Sequence, residues 1–169
     1  MPRVAKIVIR NGTAAPSAGD FDVAEPAWDK TAGKLYIKNA AGAMVGINAD
    51  DVIVVACSDE ATAITSDAAK VTFRMPFAAT LISVRASLTA ATTGTEMQID
   101  INKNGASVFS TTLRINAGAL TSVGATTAPV FSGSPTPYLL ADNDSITIDV
   151  DQVGTGAKGL KVHMYLRRT

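Results

Sequence analysis

The stretch that decides the fold is Ser145-Ile146-Thr147-Ile148-Asp149-Val150-Asp151, along which apolar and polar residues alternate. Successive side chains of a β-strand point to opposite faces, so this period of two predicts a strand with one buried and one solvated face. The same alternation recurs in four other runs, Lys70–Met75, Leu81–Leu88, Glu96–Asn102 and Gly159–Arg167. Because no window carries the apolar spacing of a helix, these runs indicate antiparallel sheets with one wet side each.

The phase of the alternation also predicts which side chains form the core. We expect the inward residues to be Val71, Phe73, Met75, Ile82, Val84, Ala86, Leu88, Met97, Ile99, Ile101, Ile146, Ile148, Val150, Leu160, Val162, Met164 and Leu166. Two sheets that pack face to face would bury all of these side chains in one layer.

The segments between the runs contain typical turn residues. Asn102-Lys103-Asn104-Gly105 predicts a tight hairpin, and Asp142-Asn143-Asp144 predicts a turn before the 145–151 strand. We expect Gly154-Thr155-Gly156-Ala157 to join the last two strands as a second hairpin. Asn116–Pro137 is rich in Gly and Pro and is interpreted as a long crossing connection with a short strand near Val130. The predicted fold class is therefore all-β: an antiparallel, jelly-roll-like β-sandwich of seven or eight strands over residues 51–169.

The N-terminal part, residues 1–50, is predicted to be a separate β segment. It holds a short β run, Val4–Arg10, and turn residues at Asn39–Gly42 that predict a hairpin between Lys34–Lys38 and Ala43–Ile47. A few strands in so short a segment bury too little apolar surface to fold independently. We therefore expect this segment to pair with the sandwich or with other copies of the chain.

Composition excludes several classes of function. Hydrophobic residues make up 47% and charged residues 18%, and Lys+Arg equals Asp+Glu at 15 each. A chain without basic excess is a poor ligand for nucleic acid, and no apolar run is long enough for a membrane-spanning helix. The single cysteine, Cys57, follows an apolar run and is expected to be buried, while the single histidine, His163, should face outwards. We predict no catalytic, cofactor-binding or metal-binding residues.

Three motifs could suggest chemistry, and each has a simpler structural interpretation. Asp100–Gly105 fits the first half of a calcium loop, but the position that needs a bidentate Glu is Thr111, so a hairpin turn is favoured over calcium binding. Gly154-x-Gly156-x-x-Gly159 fits a dinucleotide fingerprint in letters only, because a β run follows it where a helix is required. The third motif is an acidic cluster, Asp142, Asp144, Asp149 and Asp151.

The acidic cluster and the aromatic residues leave alternatives open. Paired carboxylates can perform acid–base chemistry, but a solvated sheet face is favoured, neutralised across the expected hairpin by Lys158, Lys161 and Arg167. Arg167-Arg168 is interpreted as a solvated end, with contact to a neighbouring subunit or to an acidic surface as the alternative. The aromatics are interpreted as packing residues, with a glycan-binding platform as the alternative; they are Trp28, Tyr36, Tyr138 and Tyr165.

Two segments resemble virion proteins of tailed bacteriophages. Over residues 7–47, Arg10-Asn11-Gly12-Thr13 is followed by Glu25-Pro26-Ala27-Trp28-Asp29 and then Gly33-Lys34-Leu35-Tyr36. This order is similar to a tail-fibre element in which R-x-G-T precedes G-E-P-x-x-D-x-x-x-G-K-L-Y/F, although Ala24 stands where that family usually has Gly. Residues 71–166, and Ala141–Leu166 above all, resemble β-rich appendage proteins of the same viruses.

The resemblance implies a virion location and, by analogy, a homotrimer. On this basis we expect a non-enzymatic tail- or neck-fibre-type appendage that attaches through residues 1–50 to other virion proteins and oligomerises through residues 51–169. A capsid decoration protein and a host-surface carbohydrate-binding module are the alternatives. None of these functions calls for a cofactor, nucleic acid or a membrane.

Overall fold

A computed structural model describes residues 9–30, 34–47, 50–133 and 138–169. The chain divides into two compact units, Met1–Ala49 and Asp50–Thr169. The described strands are β1 (Arg10–Gly12), β2 (Pro26–Asp29), β3 (Lys34–Lys38), β4 (Met44–Ile47), β5 (Asp50–Ala56), β6 (Asp67–Arg74), β7 (Ala79–Ser87), β8 (Met97–Lys103), β9 (Ala106–Ser107), β10 (Phe109–Thr111), β11 (Leu113–Ile115), β12 (Val130–Phe131), β13 (Tyr138–Leu140), β14 (Ser145–Gln152) and β15 (Lys161–Arg168).

The second unit is all-β, as its alternating sequence predicted. One sheet has the order β11-β8-β14-β6, with β9 beside β8, and another has the order β13-β7-β15-β5. All the pairings within these two sheets are antiparallel. The inward side chains of both sheets belong to one hydrophobic core, an arrangement consistent with a β-sandwich.

The core follows the predicted phase in three of the long strands. Met97, Ile99 and Ile101 on β8 and Ile146 and Ile148 on β14 are fully buried. On β15 the buried side chains are Val162, Met164 and Leu166. Each of these strands shows the burial alternation that its sequence predicts, because one face packs on the core and the other meets solvent.

The predicted phase of Leu81–Leu88 is wrong at its start. Leu81 is buried at 2% exposure, whereas Ile82, expected in the core, is 40% exposed. The register between β7 and β15 shifts at this point, since Tyr165 pairs with Ser83 but Leu166 pairs with Leu81. A β-bulge places an extra residue in one strand and so reverses which face the preceding side chains occupy.

The predicted hairpin between the last two strands is also wrong. β14 lies in the sheet with β8 and β6, whereas β15 lies in the sheet with β7 and β5, so Gly154–Ala157 belongs to a connection between sheets. That connection is held instead by bridges from Thr93 to Thr155 and from Ala90 to Lys158. A turn sequence predicts that the chain reverses, but it does not say whether the next strand joins the same sheet.

The other turns match their predictions. Asn104 and Gly105 have φ of 50° and 84° in the turn that joins β8 to β9, and Asn143 has φ of 64° before β14. Positive φ is tolerated by Asn and Gly better than by other residues, which explains their presence. The long connection from Asn116 contains β12 near Val130 as expected, and residues 134–137 lie outside the described residues.

The first unit contains a sheet of order β1-β2-β3-β4. The predicted hairpin is confirmed, because β3 pairs antiparallel with β4 and Gly42 in the turn has φ of 83°. Of the predicted run Val4–Arg10, all but the last two residues lie outside the described part of the chain. Among the described residues of this unit only Ala27 and Asp29 are buried.

Candidate functional site

The outer face of the β13-β7-β15-β5 sheet carries exposed apolar side chains. On the edge strand β5, Val52 and Val54 are 49% and 54% exposed and pair with Tyr165 and His163 on β15. Their neighbours Ile53 and Val55 point the other way and pack against the core. β5 is thus apolar on both faces although only one face is covered.

Sequence reasoning missed this surface for a physical reason. Val52-Ile53-Val54-Val55-Ala56 is a continuous apolar run, which indicates a strand but contains no alternation that could mark an outer face. The run itself was the available signal, because a strand that is apolar on both faces is expected to be covered on both.

Ion pairs flank the apolar surface at the start of β5. Arg167 Nε lies 2.9 Å from Asp50 Oδ1, and Arg168 Nε lies 2.6 Å from Asp51 Oδ2. The Arg167 guanidinium, which donates to Asp50, holds the pKa of that carboxyl below its ordinary value. The Arg168 guanidinium also lies 3.9 Å from the centre of the Phe77 ring. The side chains of Arg167 and Arg168 are 40% and 55% exposed, as expected of a solvated end, and both also have acidic partners within the chain.

The acidic residues of β14 form a structural network. Asp149 lies directly opposite Asp100 on β8 and accepts hydrogen bonds from the backbone N–H of Ala69, at 2.7 Å, and from Asn102 Nδ2, at 2.8 Å. Asp100 in turn accepts one from Ser107 Oγ at 2.6 Å. Desolvation, followed by the charges of Asp100 and Asp149, raises the pKa of Asp151 above its ordinary value.

Two of the three expected cationic partners of this cluster pair with other carboxylates. Lys161 pairs with Glu60 at 2.6 Å and Arg167 pairs with Asp50, because β15 and β14 lie in different sheets. The network uses amide and hydroxyl donors to hold Asp149 and Asp100, so these carboxylates connect β8, β14 and the start of β6.

The remaining acidic residue with clear partners, Asp144, connects two turns. It accepts hydrogen bonds from the backbone N–H of Ala141 and from Asn104 Nδ2, both at 2.7 Å, and these lower the pKa of its carboxyl. Asp100–Gly105 therefore forms the predicted hairpin, with its turn fixed to the turn before β14. Within the described residues, no group of three His, Cys, Asp or Glu side chains is arranged to hold a metal ion.

The lone cysteine and histidine have the surroundings that the sequence predicted. Cys57 is 5% exposed, and desolvation raises the pKa of its thiol to about 11. His163 lies on the outer face of β15 with Nε2 at 3.4 Å from Ser87 Oγ. A protonated, buried thiol is a poor nucleophile.

The four aromatic residues do not form a common platform within either unit. In the first unit Trp28 and Tyr36 occupy opposite faces of the sheet, because Trp28 pairs with Leu35 and Tyr36 pairs with Ala27. In the second unit Tyr138 packs against the core, whereas Tyr165 lies on the outer face beneath Arg85. The alternative of a glycan platform built from these four residues is therefore wrong.

An open cavity of about 420 Å³ lies at the β1 edge of the first unit. Its lining includes the residues 10–17 together with Asp20, Phe21 and Trp28. Arg10 is held there by Glu25 Oε1, at 3.0 Å from its Nε, and by the backbone carbonyl of Asp20. The cavity thus combines one exposed aromatic ring with fixed polar groups.

Comparison with known proteins identifies no family for this chain. In the described ranges no helix has the length and hydropathy needed to cross a bilayer. The chain matches no protein-family model, no curated protein and no solved structure.

Proposed function

We propose that this chain is a non-enzymatic structural protein of a tailed-bacteriophage virion, an appendage of the tail- or neck-fibre type. In this proposal residues 1–50 attach to another virion protein, and the sandwich of residues 51–169 assembles with identical copies into a trimer. The observation that carries the proposal is the uncovered outer face of β5, where Val52 and Val54 remain about half exposed. Apolar strand faces at a sheet edge are sites of association unless they are covered.

We also propose that the sandwich is a jelly roll. The first of its eight principal strands, β5, pairs with the last, β15, and the second, β6, pairs with the seventh, β14. The third, β7, pairs with the sixth, β13, and the fourth, β8, pairs with the fifth, β11. This nested pairing supports a jelly roll, an architecture that suits closed assemblies because it leaves few strand edges exposed.

The association step has a direct test with a matched control. We expect the double variant Val52→Lys, Val54→Lys to reduce the mass of the full chain, measured by light scattering after gel filtration, from oligomer to monomer. Lysine on a half-exposed edge position is compatible with the strand but opposes burial in an apolar interface. The control is Thr72→Lys on β6, the edge strand of the other sheet, which should leave the mass unchanged. A monomeric wild-type chain, or an oligomer that tolerates the double variant, would contradict the proposed interface.

The virion location is tested separately. Antibodies raised against the full chain should label purified particles of the encoding phage at the tail or neck, and a chain without residues 1–49 should lose binding to those particles. Labelling distributed over the capsid would instead support the decoration protein. Unlabelled particles would refute both virion roles.

A host-surface carbohydrate-binding module is the second candidate, favoured by the cavity beside Trp28 in the first unit. Aromatic surface next to fixed polar groups is the usual composition of a small-molecule site. A glycan array with the full chain and with the Trp28→Ala variant tests this candidate. Binding that depends on Trp28 would support it, and an array without binding would exclude it.

A further inference from the structure

Asn-Gly is the dipeptide in which the backbone can most easily attack a side chain, because glycine has no side chain to keep its nitrogen away from the preceding carboxamide. The chain has two such pairs, Asn11-Gly12 within β1 and Asn104-Gly105 in the turn that joins β8 to β9. In that turn both residues are exposed, and a Cβ added at Gly105 would meet nothing within 4 Å. Solvent and space for a reaction are therefore both present at Asn104.

The reaction available to this pair needs only water. The Gly105 backbone nitrogen loses its proton and bonds to Cγ of Asn104, while the bond from Cγ to Nδ2 breaks and Nδ2 leaves with the proton as ammonia. Water then opens the cyclic imide. Breaking the new bond to Cγ leaves aspartate, and breaking the original peptide bond leaves isoaspartate, in which the backbone runs through the side chain. Both products carry a carboxylate where the carboxamide was.

In the folded chain the carboxamide of Asn104 is held at both ends. Its Nδ2 donates to Asp144 Oδ1 at 2.7 Å, and its Oδ1 accepts the backbone N–H of Ser145 at 2.9 Å. The backbone N–H of Asn104 also donates to the Ser145 carbonyl, at 2.8 Å. A bond between two groups forms only from a geometry in which the reacting atoms are close and aligned. Cγ of Asn104 cannot turn towards the Gly105 nitrogen while both ends of the carboxamide are bonded.

Asp144 is a firm acceptor because its own carboxylate is fixed. Its Oδ2 accepts the backbone N–H of Ala141 at 2.7 Å and lies 3.5 Å from Lys103 Nζ. The Asp144 side chain is only 11% exposed, so water competes little for it. A hydrogen bond to a charged acceptor is about twice as strong as one between neutral groups. Of the two contacts that hold the carboxamide, the one with Asp144 is therefore the stronger.

We propose that Asn104 is a site of spontaneous deamidation and that Asp144 holds it in the unreactive arrangement. Reaction occurs from the fraction of molecules in which the contact between the two turns has opened. The product removes the Nδ2 donor and places a second carboxylate opposite Asp144, so that like charges replace a hydrogen bond. Each deamidated molecule thereby loses the connection between the β8–β9 turn and the turn before β14.

The test follows the full chain during incubation at pH 8, with peptide mapping by mass spectrometry to locate each converted asparagine. We expect Asp144→Ala to convert Asn104 at least about tenfold faster than the wild-type chain, the effect of losing one charge-assisted hydrogen bond from the closed arrangement. The matched control is Asp142→Ala in the same turn. Asp142 is exposed and no hydrogen bond joins it to Asn104 in the described residues, so the rate should change less than about twofold.

The same maps contain an internal reference and a second comparison. Asn11-Gly12 belongs to the other unit, so its conversion should respond to neither variant. The wild-type chain unfolded in urea should convert Asn104 at least about tenfold faster than the native chain. The proposal is overturned if native and unfolded chains convert Asn104 at equal rates, or if a folded Asp144→Ala variant converts it no faster than wild type. If Asp144→Ala unfolds the sandwich, Asp144→Asn, which keeps an acceptor without the charge, should still accelerate conversion with an unchanged circular-dichroism spectrum.

The consequence of the modification is tested with a variant that copies its product. Asn104→Asp should lower the urea midpoint of the wild-type chain and should have little effect in the Asp144→Ala background, where no like charge faces the new carboxylate. An equal effect in both backgrounds, or none in either, would show that deamidation leaves the contact between the turns intact, and would overturn this part of the proposal.

Discussion

Replacing Gly154 with Ala should destabilise the sandwich far more than the same change at Gly156, two residues away in the same connection. A Cβ at Gly154 would lie 2.6 Å from Thr92 Oγ1 and deep inside the contact distance of the Thr93 carbonyl oxygen. At Gly156, by contrast, no atom lies within 4 Å of the added carbon, although φ is +83°. The two substitutions therefore separate steric crowding from backbone strain.

The atoms that crowd Gly154 cannot move without breaking hydrogen bonds. Thr93 and Thr155 exchange two backbone bonds, of 2.9 Å and 3.0 Å, and the Gly154 N–H donates to Thr92 Oγ1 at 2.8 Å. Thr92 is fully buried, so its hydroxyl cannot replace a lost hydrogen bond with one to solvent. Loss of two hydrogen bonds costs about 2 kcal/mol, and overpacking adds at least about 1 kcal/mol, so we expect a loss of about 3 kcal/mol.

Gly156→Ala should cost only the strain of a left-handed alanine, about 1 kcal/mol. The measurement is equilibrium unfolding in urea followed by far-ultraviolet circular dichroism. With a slope of about 2 kcal/mol per molar urea, the midpoints of the two variants should differ by about 1 M. Equal midpoints, or a larger loss for Gly156→Ala, would refute the argument that the Thr93–Thr155 bridge holds this connection.

Two further predictions follow from titrating groups. Burial raises the pKa of the Cys57 thiol to about 11, so little of it is thiolate at pH 8. The native chain should therefore react with a disulfide reagent at pH 8 at least about tenfold more slowly than the urea-unfolded chain. Equal rates would contradict the burial of Cys57. Because the folded pKa of Asp151 is raised, its stabilising contribution is complete below the unfolded value of 3.8 and is lost as pH rises through the folded pKa. Asp151→Asn should therefore raise the urea midpoint at pH 7 and leave it unchanged at pH 3; a lower midpoint at pH 7 would show that the carboxylate is stabilising.

The strands that could be predicted from the sequence are those with strict alternation. β8, β14 and β15 each carry one polar and one apolar side, so side-chain period alone identifies their faces. The error at Ile82 arose because a bulge changes the phase without leaving a Gly or Pro in the sequence. The phase of a strand is thus predictable only up to the first irregularity in its pairing.

The error at Gly154–Ala157 has a different origin. Local turn residues report backbone conformation, whereas the choice of sheet depends on which strands have free edges when the chain arrives. β15 pairs with β7 and β5 across sequence separations that run from 74 residues, between Lys161 and Ser87, to 117 residues, between Arg167 and Asp50. No local pattern encodes such a pairing, and the predicted neutralisation of Asp149 by Lys161 was wrong for the same reason.

Two of the edge strands of the sandwich, β6 in one sheet and β5 in the other, differ in a way that bears on the proposed interface. The opposite edges of these sheets are β11 and β13. On the solvent side of β6 the sequence places Lys70, Thr72 and Arg74, which are the kinds of residue that discourage edge-to-edge association. The corresponding side of β5 carries Val52 and Val54. The β6 edge thus carries the polar and charged residues that protect an exposed sheet edge, whereas the β5 edge lacks them. A general tolerance of exposed apolar residues in this domain therefore does not explain the exposed valines of β5. A cover for β5 does explain them, and the ion pairs of Asp50 and Asp51 at its start would then lie at the polar rim of that interface.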